Sequence, residues 1–270
     1  MVAGAVERSD AGAVDWAGPW FDAVAAHGRA VSSKADVRAA LTAAAERLGV
    51  RNAAGQPIRF ATATAAGDSA YEAHIGGTGE VPTRDNRHDF FNALVWLAFP
   101  RTKARLNALQ SQAIASTGVL AQRGPLRDAA TLIDENAVLL VTERADIVDA
   151  LRRHDWRALF VEHRAAWVAE VRPVVFGHAL MEKLAAPYKG ITAHALPVRL
   201  GADASVADID ARAAEALDST LTPRQLLPLP VLGIPGWADN DDLAYYEDAA
   251  VFRPKSHRRG LDDQSLRGRR

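Results

Sequence analysis

No cysteine occurs anywhere in the 270 residues. That absence excludes disulfides, thiolate nucleophiles, iron–sulfur clusters and cysteine-ligated zinc. No apolar run reaches the roughly 18 residues that a bilayer-spanning helix requires. Residues 1–15 have neither a basic start nor a sustained apolar stretch, so no secretory leader is expected and the compartment is read as cytoplasmic. Four familiar signatures are also missing: the Gly-x-Ser-x-Gly elbow, the Walker loop, Gly-x-Gly-x-x-Gly and His-Glu-x-x-His. Serine hydrolase, nucleotide-binding and common zinc-protease readings therefore have no support.

What is present is an ordinary globular balance, 49% hydrophobic and 24% charged, which argues for a folded chain. The net charge of −1 conceals an asymmetry. From Arg253 to Arg270 there are seven Lys or Arg and two Asp, a basic end after an acidic body. A solvated, disordered tail from residue 255 is the plain reading. Contact with nucleic acid through the tail is not expected, and residues 1–15 are likewise expected to be disordered.

Between these ends the pattern predicts one α/β (or α+β) domain, residues 16–254, with a mixed sheet flanked by helices. A helix is predicted over Val37–Leu48, capped by Ser33 and stopped by Gly49. Strands are predicted at Ile58–Thr64 and Tyr71–Ile75, the second ending in a Gly76-Gly77-Thr78-Gly79 turn. From Asn136 onward strands at 136–141, 171–176 and 191–200 alternate with helices. The segment Leu227–Trp237, rich in proline, can form neither helix nor central strand and is predicted to run as an extended arm through residue 254.

The segment from Asp85 to Phe99 is the most informative. On a helix, Asp85, His88, Asp89 and Asn92 share an arc of roughly 100°, while Phe90, Phe91, Leu94, Val95, Leu97 and Ala98 cover most of the rest. A solvent edge with Asp85 as N-cap is one reading of that stripe. Such edges usually carry Lys, Glu, Arg or Gln, which are better helix formers than His, Asp and Asn. The functional reading places His88, Asp89 and Asn92 in a catalytic cleft, with His88 as base or metal ligand. If Pro100 opens a new helix, Arg101 and Lys103 stand by its free N–H groups. With Arg84 they become candidates for holding an anionic substrate; a kinked continuous helix with a solvated basic face is the alternative.

Other candidates are weaker in isolation. His178 and Glu182 lie one helical turn apart, which suits either metal ligation or an ordinary i,i+4 pair. His194, between two alanines on a strand, is a further possible ligand or a core histidine. The proposed metal set is thus His88, Asp89, His178, Glu182 and His194, for a divalent cation. Asp134-Glu135-Asn136 could bind a metal or act as a base, but reads more simply as a turn.

Tyr71-Glu72, Val81-Pro82-Thr83-Arg84, Asn86 and the run His88–Lys103 resemble the signature of an uncharacterised bacterial family, domain of unknown function 3025. Asp134-Glu135-Asn136, Phe176–Leu180 with Glu182-Lys183, and Val251–Pro254 are similar to its other blocks, so the likeness spans residues 16–254. The resemblance implies a cytoplasmic bacterial protein and brings no activity with it. From the residues themselves, the expected function is a metal-assisted hydrolase acting on a small anionic substrate. The alternative is a non-catalytic binding or scaffold protein that recruits a protein partner through its proline-rich C-terminal arm and basic tail.

Overall fold

A computed structural model of the chain describes residues 14–63, 68–117 and 124–255. They form the expected α/β architecture, in which helices flank two sheets. Residues 256–270 of the tail predicted from 255, and the first thirteen residues, lie outside the described part.

Pro19 opens a short 3-10 turn that runs into α1 (Asp22–Ser32). Ser33 closes α1 rather than capping its successor; α2 (Val37–Leu48) is capped by Asp36, which accepts from the Ala39 N–H at 3.0 Å. Gly49, at φ 67°, then ends α2 in the left-handed conformation that glycine adopts without strain. β1 (Arg59–Thr62) follows, close to its predicted place. The predicted strand at Tyr71–Ile75 is instead part of helix α3 (Asp68–Thr78). Short runs of aromatic and β-branched residues do not distinguish strand from helix. Here a one-turn spacing puts Tyr71 and Ile75 on the same inward side. Gly76 and Gly77 belong to this helix too, and only Gly79, at φ 75°, makes the turn into β2 (Glu80–Thr83). β2 pairs parallel with β1.

Helix α4 (Arg87–Ala98) runs through the core, and every residue from Asp89 to Ala98 is buried. Asn86, not Asp85, caps it, accepting from the Asp89 N–H at 2.7 Å; Asp85 pairs outward with Arg38. Phe99 leaves the helical region at φ −130°, ψ 56°, and Pro100 starts a separate helix, α5 (Pro100–Thr117). Proline disfavours helical backbone at the residue before it, so a break here is the natural outcome.

The second half is a βα alternation: α6 (Pro125–Asn136), β3 (Ala137–Thr142), α7 (Ala145–Arg153), α8 (Arg164–Ala169), β4 (Val171–Val175), α9 (His178–Leu184), β5 (Thr192–Val198), α10 (Val206–Glu215) and β6 (Leu227–Pro230). The sheet order is β4-β3-β5-β6. β3 pairs parallel with β5 and antiparallel with β4, and β5 pairs antiparallel with β6, so the sheet is mixed. All six residues of β3 are buried, as a continuous apolar run on a central strand should be. β4 and β6, which carry Pro173, Pro228 and Pro230, take the two edges, and Pro197 of the central strand β5 lies beyond the stretch that pairs with β6. The arm that β6 begins is built into the fold: Leu229, Val231 and Ile234 are buried, and Trp16 and Trp20 pack against the core.

α10 also supplies what the sequence left open at α5. The buried carboxylate of Asp210 accepts from the Arg101 and Thr102 N–H groups at 2.9 and 2.8 Å and from the Thr102 hydroxyl at 2.7 Å. The anion at this helix N-terminus is therefore the protein's own. Asp210→Ala is expected to destabilise the fold by ~2–3 kcal/mol, because buried donors lose their acceptor. Urea unfolding checks this as a lower midpoint at unchanged slope; a shift equivalent to less than about 0.5 kcal/mol would refute it.

Candidate metal centre

Three helix ends meet on one side of the molecule. His88 is the second residue of α4, Glu135 is in the last turn of α6, and His178 opens α9. Because α6 passes into β3 without a loop, the place of Glu135 is fixed by the sheet. The Phe176 and Gly177 N–H groups both donate to the Ala137 carbonyl, at 3.0 and 2.9 Å, which brings the start of α9 against that junction. α4 packs along α9 and carries His88 to the same point.

The resulting distances are short. His88 Nε2 is 3.1 Å from His178 Nε2 and 3.9 Å from Glu135 Oε2, and His178 Nε2 is 3.3 Å from the same oxygen. On the far side of each ring stands another carboxylate. Glu182 Oε2 lies 3.2 Å from His88 Nδ1, and Asp134 Oδ2 lies 3.9 Å from His178 Nδ1. Among the described residues, His88, Glu135 and His178 form the one group of three or more His, Asp or Glu side chains with the spacing to hold a metal ion. His178 is 4% exposed, whereas His88, Glu135 and Glu182 are between 32% and 43% exposed, so the cluster is open on one side only.

Behind it lies a buried polar layer. Lys103 Nζ donates to Asp134 Oδ1 at 2.6 Å and to Asn92 Oδ1 at 2.8 Å, and Asn92 donates to the Tyr71 hydroxyl at 3.0 Å. Burial opposes the charge on Asp134, but the Lys103 ammonium, with His178 and His88, holds its carboxyl below the usual range. Burial, and then the Asp134 charge, pushes the Glu135 and Glu72 carboxyls up. Burial takes His178 down to about 4, so its ring is neutral at pH 7.

A family model described as "Protein of unknown function (DUF3025)" matches residues 58–256. The chain belongs to this family. No curated protein and no solved structure matches it. The DUF3025 match includes every residue of the cluster and begins after α2, so α1 and α2, which the sequence-level likeness took in, fall outside it.

Within this DUF3025 chain the residues singled out from sequence separate into groups. His88, His178 and Glu182 converge. His194, on β5, is outside the metal-spaced group. Asp89 turns away: its carboxylate takes three hydrogen bonds from the backbone and side chain of Arg84, at 2.7–3.0 Å. Although burial works against its charge, those bonds keep its carboxyl below the usual range. Asn92 faces inward to Lys103 and Tyr71. The stripe on α4 is therefore neither a solvent edge nor one cleft wall. Asp210 fills the α5 N-terminus through the Arg101 and Thr102 backbone N–H groups, and Lys103 is buried against Asp134, so neither that helix end nor Lys103 is open to an outside anion; the Arg101 side chain is exposed. Arg84 is committed to Asp89. Asp134 and Glu135, which resemble a turn in sequence, close α6 and are central to the cluster; the Asp-Glu pair itself was the available signal.

Proposed function

We propose that His88, Glu135 and His178 hold a single divalent cation and that the protein is a metal-assisted hydrolase acting on a small anionic substrate. One observation carries this: three donor atoms of the right chemistry face one another while the opposite nitrogens of both histidines face carboxylates. With the His88 proton on Nδ1, held by Glu182, and the His178 proton on Nδ1, which is buried without a hydrogen-bond partner 3.9 Å from Asp134 Oδ2, both Nε2 lone pairs are aimed at the same point as Glu135 Oε2. Three lone-pair donors without a shared proton repel unless a cation lies among them. Ligands bound at about 2.0–2.1 Å around a tetrahedral ion stand roughly 3.3 Å apart, and the three separations here are 3.1, 3.3 and 3.9 Å.

Two histidines and one carboxylate make up a ligand set of catalytic zinc, with a fourth position left to water; the same set serves iron(II). A divalent ion there supplies Lewis acidity and lowers the pKa of a bound water. The chain's own part is to orient the rings through Glu182 and Asp134, to keep the ion dry on the His178 side, and to leave the His88–Glu135 side open to substrate. The docking alternative loses its main motive, because the apolar side chains of the C-terminal arm are packed into this chain's own core.

Elemental analysis and reconstitution with zinc, manganese or iron(II) test the reading. The purified untagged protein is expected to hold one equivalent of metal, and His88→Ala and His178→Ala to bind it at least about 100-fold more weakly. Glu182→Gln is expected to weaken binding by ~10–100-fold, since it removes only the orienting carboxylate. A wild type that binds no metal on reconstitution, or variants that keep it, would overturn the proposal. Metal-loaded protein is then to be screened against phosphoester, ester and amide substrates, with Glu135→Gln as the inactive control.

A further inference from the structure

The proposed substrate is anionic, and two of the cations first suggested to hold it, Arg84 and Lys103, are paired within the fold. Two further donors lie near the segments that carry the cluster. Lys183 follows Glu182 on α9 and is exposed, and its side chain has no hydrogen-bond or ion-pair partner among the described residues. The side chain of His194, half-buried on β5, has none either. Two backbone-level links fix His194 relative to the centre. The parallel register sets it beside Ala137, two residues after Glu135, and the Asn136 side chain donates to the Thr192 carbonyl at 3.0 Å. Adjacent strands are about 4.8 Å apart, so His194 is a close neighbour of the segment that carries the Glu135 ligand. The Lys183 ammonium is near enough to bear on the charges of both Glu135 and His194. Lys183 and His194 thus lie beside the segments that carry Glu182 and Glu135, as two side-chain donors with no partner among the described residues.

We infer that Lys183 and His194 form the subsite that holds the substrate's anionic group, a carboxylate or a phosphate, while the bond to be cleaved lies at the metal centre. This rests on the metal reading above. It assigns the substrate to small esters, amides or phosphoesters that carry a second, oxyanionic group next to the scissile one. An ammonium and an imidazole N–H are both donors suited to such an oxyanion. Lys183 is exposed and His194 half-buried, so both are accessible to a small ligand.

Cobalt(II)-loaded protein provides the test, with binding read from the visible spectrum at low ionic strength. Three hydroxamates serve as probes: acetohydroxamate, the monohydroxamate of succinate, and phosphonoacetohydroxamate. All three ligate the metal through the same group, and only the last two carry a second anion. The wild type is expected to bind at least one anionic probe about tenfold more tightly than acetohydroxamate, equivalent to ~1.4 kcal/mol. The more favoured of the two identifies the anion as carboxylate or phosphate. In the Lys183→Gln/His194→Gln double variant the cobalt content is expected to stay at one equivalent, and the ratio of affinities to fall to about one. Equal affinities in the wild type, or a preference that persists in the variant, would overturn the subsite and leave the metal centre standing. A wild type that takes up no cobalt would overturn both, and that is read before any probe is added.

Discussion

Lys103→Met is expected to lower the unfolding free energy by ~3–5 kcal/mol, the cost typical of stranding one member of a buried ion pair. The lysine side chain is 6% exposed and its partner Asp134 13%. Methionine matches the aliphatic stem, so little packing is lost over the Trp96 ring, whose centroid is 5.4 Å from the ammonium. What is lost is the charge that offsets the desolvation of Asp134, together with the donor to Asn92. A second change distinguishes this cause from general disruption: in Lys103→Met/Asp134→Asn the uncompensated carboxylate is gone, and most of the stability is expected to return. Chemical denaturation of the wild type, both single variants and the double variant completes the cycle. A Lys103→Met protein within about 1 kcal/mol of wild type would show that the pair contributes little.

Gly177→Ala is expected to have a comparable effect by a different route. The backbone at Gly177 is unexceptional, with φ −60°, so conformational freedom is not why glycine is present. Space is the reason. A β-carbon there would lie 2.5 Å from the backbone nitrogens of Asn136 and Ala137 and 2.6 Å from the Asn136 α-carbon. These are main-chain atoms at the junction of α6 and β3 and cannot rotate aside. Overpacking typically costs ~1–3 kcal/mol, and contacts this short with main-chain atoms put Gly177→Ala at the upper end of that range. Relief requires α9 to move away from α6, which separates His178 from Glu135, so metal affinity should fall at least about tenfold along with stability. Gly124→Ala is the control, because nothing lies within 4 Å of the added carbon. If Gly177→Ala melts and binds metal like that control, the close approach is not what builds the site.

These two residues also show what sequence reasoning reaches and where it stops. The apolar run of α4 marks a buried helix without any structure, and the spacing of His178 and Glu182 marks one helix face. That His88 meets His178 was not legible, because the two are 90 residues apart and their contact depends on α4 packing along α9. The stripe on α4 was read as a unit because helical periodicity orders residues by angle. Each side chain then chose its own partner: Asp89 the Arg84 five residues before it, Asn92 a lysine on the next helix, His88 an entirely separate element. Asp134-Glu135-Asn136 has the composition of a turn, and it ends a helix because α6 leads directly into a buried strand. The strand expected at Tyr71–Ile75 failed for a similar reason, since a five-residue apolar pattern fits either period and packing against α5 decides it.

The distance along the chain between His88 and His178 has one more consequence. The unfolded polypeptide does not present the donors together, so an ion held by them binds the native state and neglects the denatured one. At a free concentration 100 times its dissociation constant, such a ligand adds ~2.7 kcal/mol to stability. Cellular proteases act on the unfolded fraction, and a change of that size alters steady-state abundance several-fold. The lifetime of the chain would then follow the supply of the ion, with scarcity thinning the population by degradation before any catalytic deficit was felt.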